Sequence, residues 1–164
     1  MKRSRLNGGF TIIEVVVAMA ILAVLATMLL PLAEMAVKRG KEKDLKMALW
    51  EIRAALDAYK KASDEGTILK VEGQSGFPAT IDALVSGVQE KSKGTKIYFL
   101  RRLPADPFLE QSTEQRFEQG TSPKGWGLRS YASAPDRPQP GADVYDVYSL
   151  SKKIGSNGIP YSKW

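Results

Sequence analysis

An α+β fold is what this sequence predicts: a long N-terminal helix packed on a small C-terminal domain that holds a short helix and a small antiparallel sheet. Three observations carry the prediction. From Phe10 to Leu32 the chain is an apolar run whose only ionisable side chain is Glu14. From Leu45 to Tyr59 apolar residues recur at three- and four-residue steps. In the last third, segments 126–132 and 144–150 have the composition and alternation of half-buried strands. The chain thus divides into a basic leader at 1–9, a membrane-spanning helix at 10–33, and a folded region at 34–164 that includes the upper half of the long helix.

The leader carries Lys2, Arg3 and Arg5 with no acid among them. The 23 residues from Phe10 to Leu32 span about 35 Å at the helical rise, enough for the roughly 30 Å hydrocarbon core of a bilayer. A cleaved secretory signal also has a basic start and an apolar run, but its small-residue site follows the run. Here the small pair Gly8-Gly9 precedes it, so the apolar segment is expected to survive processing.

Glu14 needs its own explanation, because an acid within a transmembrane helix costs about 2.5 to 3.5 kcal/mol on insertion scales. Two readings compete. In one, Glu14 lies at headgroup depth near the helix start, where the positive end of the helix dipole stabilises it. In the other, cleavage after Gly9 frees the amino group of Phe10, and Glu14 of one subunit meets that cation on a neighbour. Such a pair in lipid selects register, since a subunit off by one position leaves both charges unmatched.

Beyond the membrane the helical pattern continues. Leu45, Ala48, Leu49, Ile52, Ala55, Leu56 and Tyr59 form one stripe, with Lys46, Glu51, Arg53, Asp57 and Lys60 elsewhere. A helix from Phe10 to about Ala62 would approach 80 Å at the standard rise. Trp50 is open to two readings, a core anchor or a residue of a subunit contact surface. The basic cluster Lys38, Arg39, Lys41, Lys43 and Lys46, interleaved with Glu42 and Asp44, reads as a solvated or interfacial face. Contacts to anionic lipid or to acidic grooves on neighbouring subunits are the alternative.

The Ser63-Asp64-Glu65-Gly66 cluster ends the helix, and residues 67–76 read as a loop. A short helix is expected from about Thr80, a good N-cap, to Val88. The segment from Ile97 to Phe108, containing Leu103-Pro104-Ala105-Asp106-Pro107, reads as a structural corner, because its prolines fix the chain direction. A polar stretch from Leu109 to Gly125 follows, either mobile or a partner-specific surface. Between the two strand candidates, Pro135, Pro138, Pro140 and Gly141 make a loop.

Composition excludes whole classes of function. With no Cys there is no disulfide framework, and with no His the commonest acid-base and metal-binding side chain is missing. A Ser-His-Asp or Cys-His nucleophile is therefore impossible. Ser149-Leu150-Ser151-Lys152 reads as a strand end and turn, not a serine-lysine site, so no enzyme is expected. The net charge of +6 falls to +3 once the leader's three basic residues are removed, which argues against a nucleic-acid partner.

Gly9-Phe10-Thr11-Ile12-Ile13-Glu14-Val15 and the apolar helix behind it resemble the type IV pilins and type II secretion pseudopilins. That resemblance implies cleavage by a prepilin peptidase between Gly9 and Phe10, N-methylation of Phe10, and a role for Glu14 in subunit docking. It matches Pro31 to the proline near the end of the family's first apolar stretch, where a kink or local melting lets the stem extend in a fibre. It places the leader in the cytoplasm, the helix as a single pass through the inner membrane and the C-terminal domain in the periplasm. The partners it implies are further copies of the chain in a helical fibre, minor pseudopilins and the inner-membrane assembly platform.

The Leu103–Pro107 segment is similar to the Leu-Pro-x-Asp-Pro stretch of major type II pseudopilins, and Trp164 matches their terminal Trp. With the lack of paired C-terminal cysteines, this favours a type II secretion pseudopilus subunit over a type IV pilin for motility, adhesion or DNA uptake. A membrane-tethered binding module that never polymerises is a further alternative. Major pseudopilins commonly bind calcium in the loop after the last strand. Here that loop, Ser151 to Gly158, carries Lys152 and Lys153, and only Asp143 and Asp146 are nearby as weak candidate donors. Calcium is therefore not expected, and Ile159, Tyr161 and Trp164 are expected to hold the loop by packing.

Overall fold

A computed structural model describes residues 10–70, 73–109, 122 and 125–164, apart from the side chains of residues 28–30. The architecture is α+β, as the sequence predicts. It falls into two units that divide after Gly40.

The first unit holds the beginning of helix α1, which runs Ile12–Asp64. It is the one helix among the described residues long and apolar enough to cross a membrane, and none of its apolar window is buried. Pro31 lies inside α1, and the backbone is helical on both sides of it. Proline lacks only the donor that would have bonded the carbonyl of Thr27 one turn earlier.

The second unit is built on the remainder of α1. All six of Leu45, Ala48, Leu49, Ile52, Ala55 and Leu56 are buried, and Tyr59 packs at their edge. They share one cluster with Ile81, Leu84, Leu100, Leu103, Trp126, Val144, Val147 and Tyr161. Burial of each large aliphatic side chain contributes about 1.5–3 kcal/mol. Trp50 is 74% exposed, which removes the core-anchor reading.

Helix α2 is Ala83–Ser86, shorter than the 80–88 helix expected. Thr80 does not cap it with its hydroxyl; its carbonyl accepts from the Ala83 amide in a preceding turn. Gly87 stops the helix at φ +77°, where a Cβ would come within 2.8 Å of the Tyr98 ring. Strand β1, Val88–Gln89, then pairs antiparallel with β2, Lys96–Ile97, in register Val88↔Ile97. This small hairpin was not expected. Within the 67–76 loop, Ile68 is buried and bridges Glu90.

Strand β3, Trp126–Arg129, pairs antiparallel with β4, Asp146–Ser149, matching Trp126 with Ser149 and Leu128 with Val147. Both fall inside the segments expected, trimmed at their ends. The chain closes with a 3-10 turn at Tyr161–Lys163. Tyr161 stacks on Phe108 with ring centroids 4.0 Å apart and meets Trp164 edge-on at 5.0 Å. Ile159, expected to pack inward, has its side chain 45% exposed and meets the loop instead through its carbonyl, which accepts from the Gly155 amide and Trp164 Nε1.

Candidate processing and assembly site

Phe10 precedes α1 and is 82% exposed. Thr11 caps the helix. Its carbonyl accepts from the amides of Glu14 at 3.1 Å and Val15 at 3.3 Å, and its Oγ1 accepts from the Glu14 amide at 3.4 Å. Thr11-x-x-Glu14 thus has the spacing of a capping box, which sets the carboxylate in the first turn, where orphan amides and the helix dipole favour an anion. Sequence reasoning singled out Glu14 but missed the cap, although the Thr-x-x-Glu spacing signals it.

From this start the apolar face is open along the helix. Ile12 is 85% exposed, Met19 65% and Leu22 65%. A contiguous face of this kind needs lipid or other chains around it. Gly9 and the rest of the leader lie outside the described residues, as does most of the 109–125 segment.

The second unit presents the Leu103–Pro107 corner as a fixed structural element. Asp106 is 4% exposed; its Oδ1 accepts from the Phe108 amide at 2.8 Å and its Oδ2 from Ser149 Oγ at 2.5 Å. Ser149 is thereby engaged, and Lys152 is exposed.

The two candidate metal donors are separately occupied. Asp143 accepts from Ser130 Oγ at 2.6 Å, the Tyr131 amide at 2.9 Å and Ser75 Oγ. Burial alone would push its carboxyl up, yet those three bonds outweigh burial and hold it below the usual range. Asp146 receives Arg53 Nε at 2.8 Å and Arg129 Nη2 at 3.2 Å. Lys152 and Lys153 are both exposed.

Two residues of α1 that sequence reasoning left on the solvated face grip the C-terminal segment. Arg53 reaches Asp146 and donates through Nη2 to the carbonyl oxygens of Val147 at 3.2 Å and Trp164 at 2.9 Å. Glu42, 8% exposed, accepts through Oε1 from the Ser156 amide and Ser156 Oγ, both at 2.8 Å, and from Tyr161 Oη at 2.9 Å. A signal for Glu42 existed: it stands three and seven residues before Leu45 and Leu49, on the buried stripe itself.

Against this geometry, the family profile of the prokaryotic N-terminal methylation motif matches residues 4–30. The chain carries the signature of type IV pilins and pseudopilins. No curated protein and no solved structure was found to match it. The methylation motif implies processing by a prepilin peptidase and pilus-type assembly, and with the apolar helix it fits a membrane-anchored protein. The match ends within the apolar stretch of α1, before the core-forming residues of the second unit.

Proposed function

We propose that this chain is a structural subunit of a type II secretion pseudopilus, a non-enzymatic protein that assembles through its apolar N-terminal helix to drive protein export. One observation carries the reading: the residues matched by the methylation motif run into a helix whose membrane-length apolar window is unburied and whose first turn holds a single carboxylate. In this reading Gly9-Phe10 is the cleavage site, Phe10 becomes the methylated N-terminus, and Glu14 pairs with that terminus on the neighbouring copy. Pro31, which deprives Thr27 of its helical donor, is where the stem yields when subunits pack.

The choice of a secretion pseudopilus over a type IV pilin is supported by the Leu103–Pro107 corner and the absence of cysteine. The protein would span the inner membrane once, with the second unit in the periplasm, and would meet the assembly platform and minor pseudopilins there.

Glu14→Ala tests the assembly role. The variant should still enter the membrane and be cleaved to a chain starting at Phe10, as intact mass spectrometry reads, but should not form fibres when overexpressed with the rest of the machine. Normal fibres from this variant would overturn the reading. Loss of motility or DNA uptake in a deletion strain, with protein secretion unchanged, would favour the type IV pilin instead.

A further inference from the structure

The loop after β4 is where the pseudopilin reading sets a calcium ion, and the donors of this chain do not fit one. Calcium takes about six to eight oxygens, largely carboxylates and carbonyls. Among the described residues no group of three or more His, Cys, Asp or Glu is placed to hold a metal. Asp146 is engaged by two guanidinium groups and Asp143 by two hydroxyls and an amide. Carbonyls of the loop are in use as well. That of Lys153 accepts from the Tyr161 amide at 3.2 Å, that of Gly155 from Gly158 at 3.0 Å, and that of Ile159 from Gly155 at 2.9 Å and from Trp164 Nε1 at 3.2 Å. Lys152 and Lys153 add positive charge where a divalent cation would sit.

What fastens the loop is a carboxylate from the long helix. Glu42 gathers three donors from two ends of the segment, the amide and hydroxyl of Ser156 and the hydroxyl of Tyr161. Charge-assisted bonds of this kind are the strong ones. The Tyr161 hydroxyl, pushed up to about 12 by burial and then by the hydrogen bond and charge of Glu42, remains a donor throughout the physiological range. Packing completes the seat: a Cβ at Gly155 would lie 2.4 Å from the Trp164 ring, so the loop closes directly under the indole. We infer that Glu42 is the internal anchor of the 151–161 loop, serving the purpose a bound cation serves elsewhere, and that the second unit folds without a divalent metal.

This inference takes its expectation of a metal from the pseudopilin reading, but its test does not depend on assembly. Full-length protein in detergent micelles is melted in a chelator and in millimolar calcium, as wild type and as E42Q, Y161F and S156A. The wild-type Tm should be the same in both solutions. E42Q should lower it by about 4 °C or more, with Y161F and S156A each lowering it by less, and calcium should rescue none of them. A dose-dependent rise of the wild-type Tm with calcium would overturn the inference. So would an E42Q that melts with the wild type. If E42Q fails to fold, Y161F and S156A decide: wild-type Tm values for both would sink the anchor. A failed Glu14→Ala experiment leaves every one of these readings intact, so the two proposals fall separately.

Discussion

Trp126 Nε1 donates to the carbonyl of Pro104 at 2.8 Å, which ties the first residue of β3 to the proline corner twenty-two positions earlier in the chain. The indole is 0% exposed, so its N–H finds its partner in that half-buried carbonyl. Trp126→Phe keeps an aromatic ring in the core but leaves that carbonyl without its donor, and should cost about 1–3 kcal/mol. Trp126→Ala should cost about 3–5 kcal/mol. Urea unfolding of the two variants measures both.

Trp50 should behave in the opposite way. At 74% exposed it touches little of its own subunit, and Trp50→Ala should leave the stability of the unassembled protein within about 0.5 kcal/mol of wild type. A drop comparable to that of Trp126→Ala would contradict the placement of this side chain.

Arg53 holds Asp146 and two carbonyls with one planar fork, and its side chain is 39% exposed. Solvent screening leaves the ion pair itself small, about 0.2–1 kcal/mol. The geometry of the fork carries the rest. Arg53→Lys, which keeps the charge and loses the fork, should therefore lower Tm, and the deficit should persist in about 1 M salt, where the Debye length is only about 3 Å. If high salt brought wild type and variant together, charge alone would account for the interaction.

The two acids give opposite pH responses. Asp143 is held below its ordinary value in the fold, so its contribution is present above the unfolded pKa, near 4 for an aspartate, and is lost as pH falls through the depressed folded value. Stability of Asp143→Asn should consequently depend less on pH in that acidic window.

Tyr161 is raised from 10.0 to about 12. Its contribution is complete below about pH 10, where an unfolded tyrosine begins to titrate, and declines as pH rises towards the folded value. Lysine titration affects wild type and Tyr161→Phe alike, so the difference between their alkaline stability profiles isolates this hydroxyl; parallel profiles would refute its placement beside Glu42.

The parts of the fold legible in the sequence are those with a long or repeated signal. Helix α1 announces itself by an apolar run and then by a stripe whose buried members, Leu45 to Leu56, all lie where the period places them. Strands β3 and β4 show through Trp126-Gly-Leu and Val147-Tyr-Ser, although tertiary packing trims their ends. The β1–β2 hairpin does not show, because two strands of two residues each are too short for any period, and Gln89 and Lys96 on its polar pair read as loop. Of the candidate site, Phe10 and Glu14 stand out since an acid in an apolar run is conspicuous, and Thr11 is readable from its spacing. Glu42 is masked by the charges around it, although its spacing from Leu45 and Leu49 marks it, and both it and Arg53 find their partners only after the chain has returned from the far end of the sequence.

That return has a consequence for biogenesis. The hydroxyl of Tyr161 meets Glu42 across 119 positions, and Ser156 meets it across 114. A nascent chain arrested before these residues emerge has its long helix but lacks Tyr161, which packs in one cluster with the apolar stripe of that helix. Contacts so remote in sequence form late and slowly, so each newly made copy passes through an interval in which its hydrophobic flank is bare. During that interval it is vulnerable to proteolysis and to clumping with its siblings, and completion of the last ten or so residues is the event that ends the exposure.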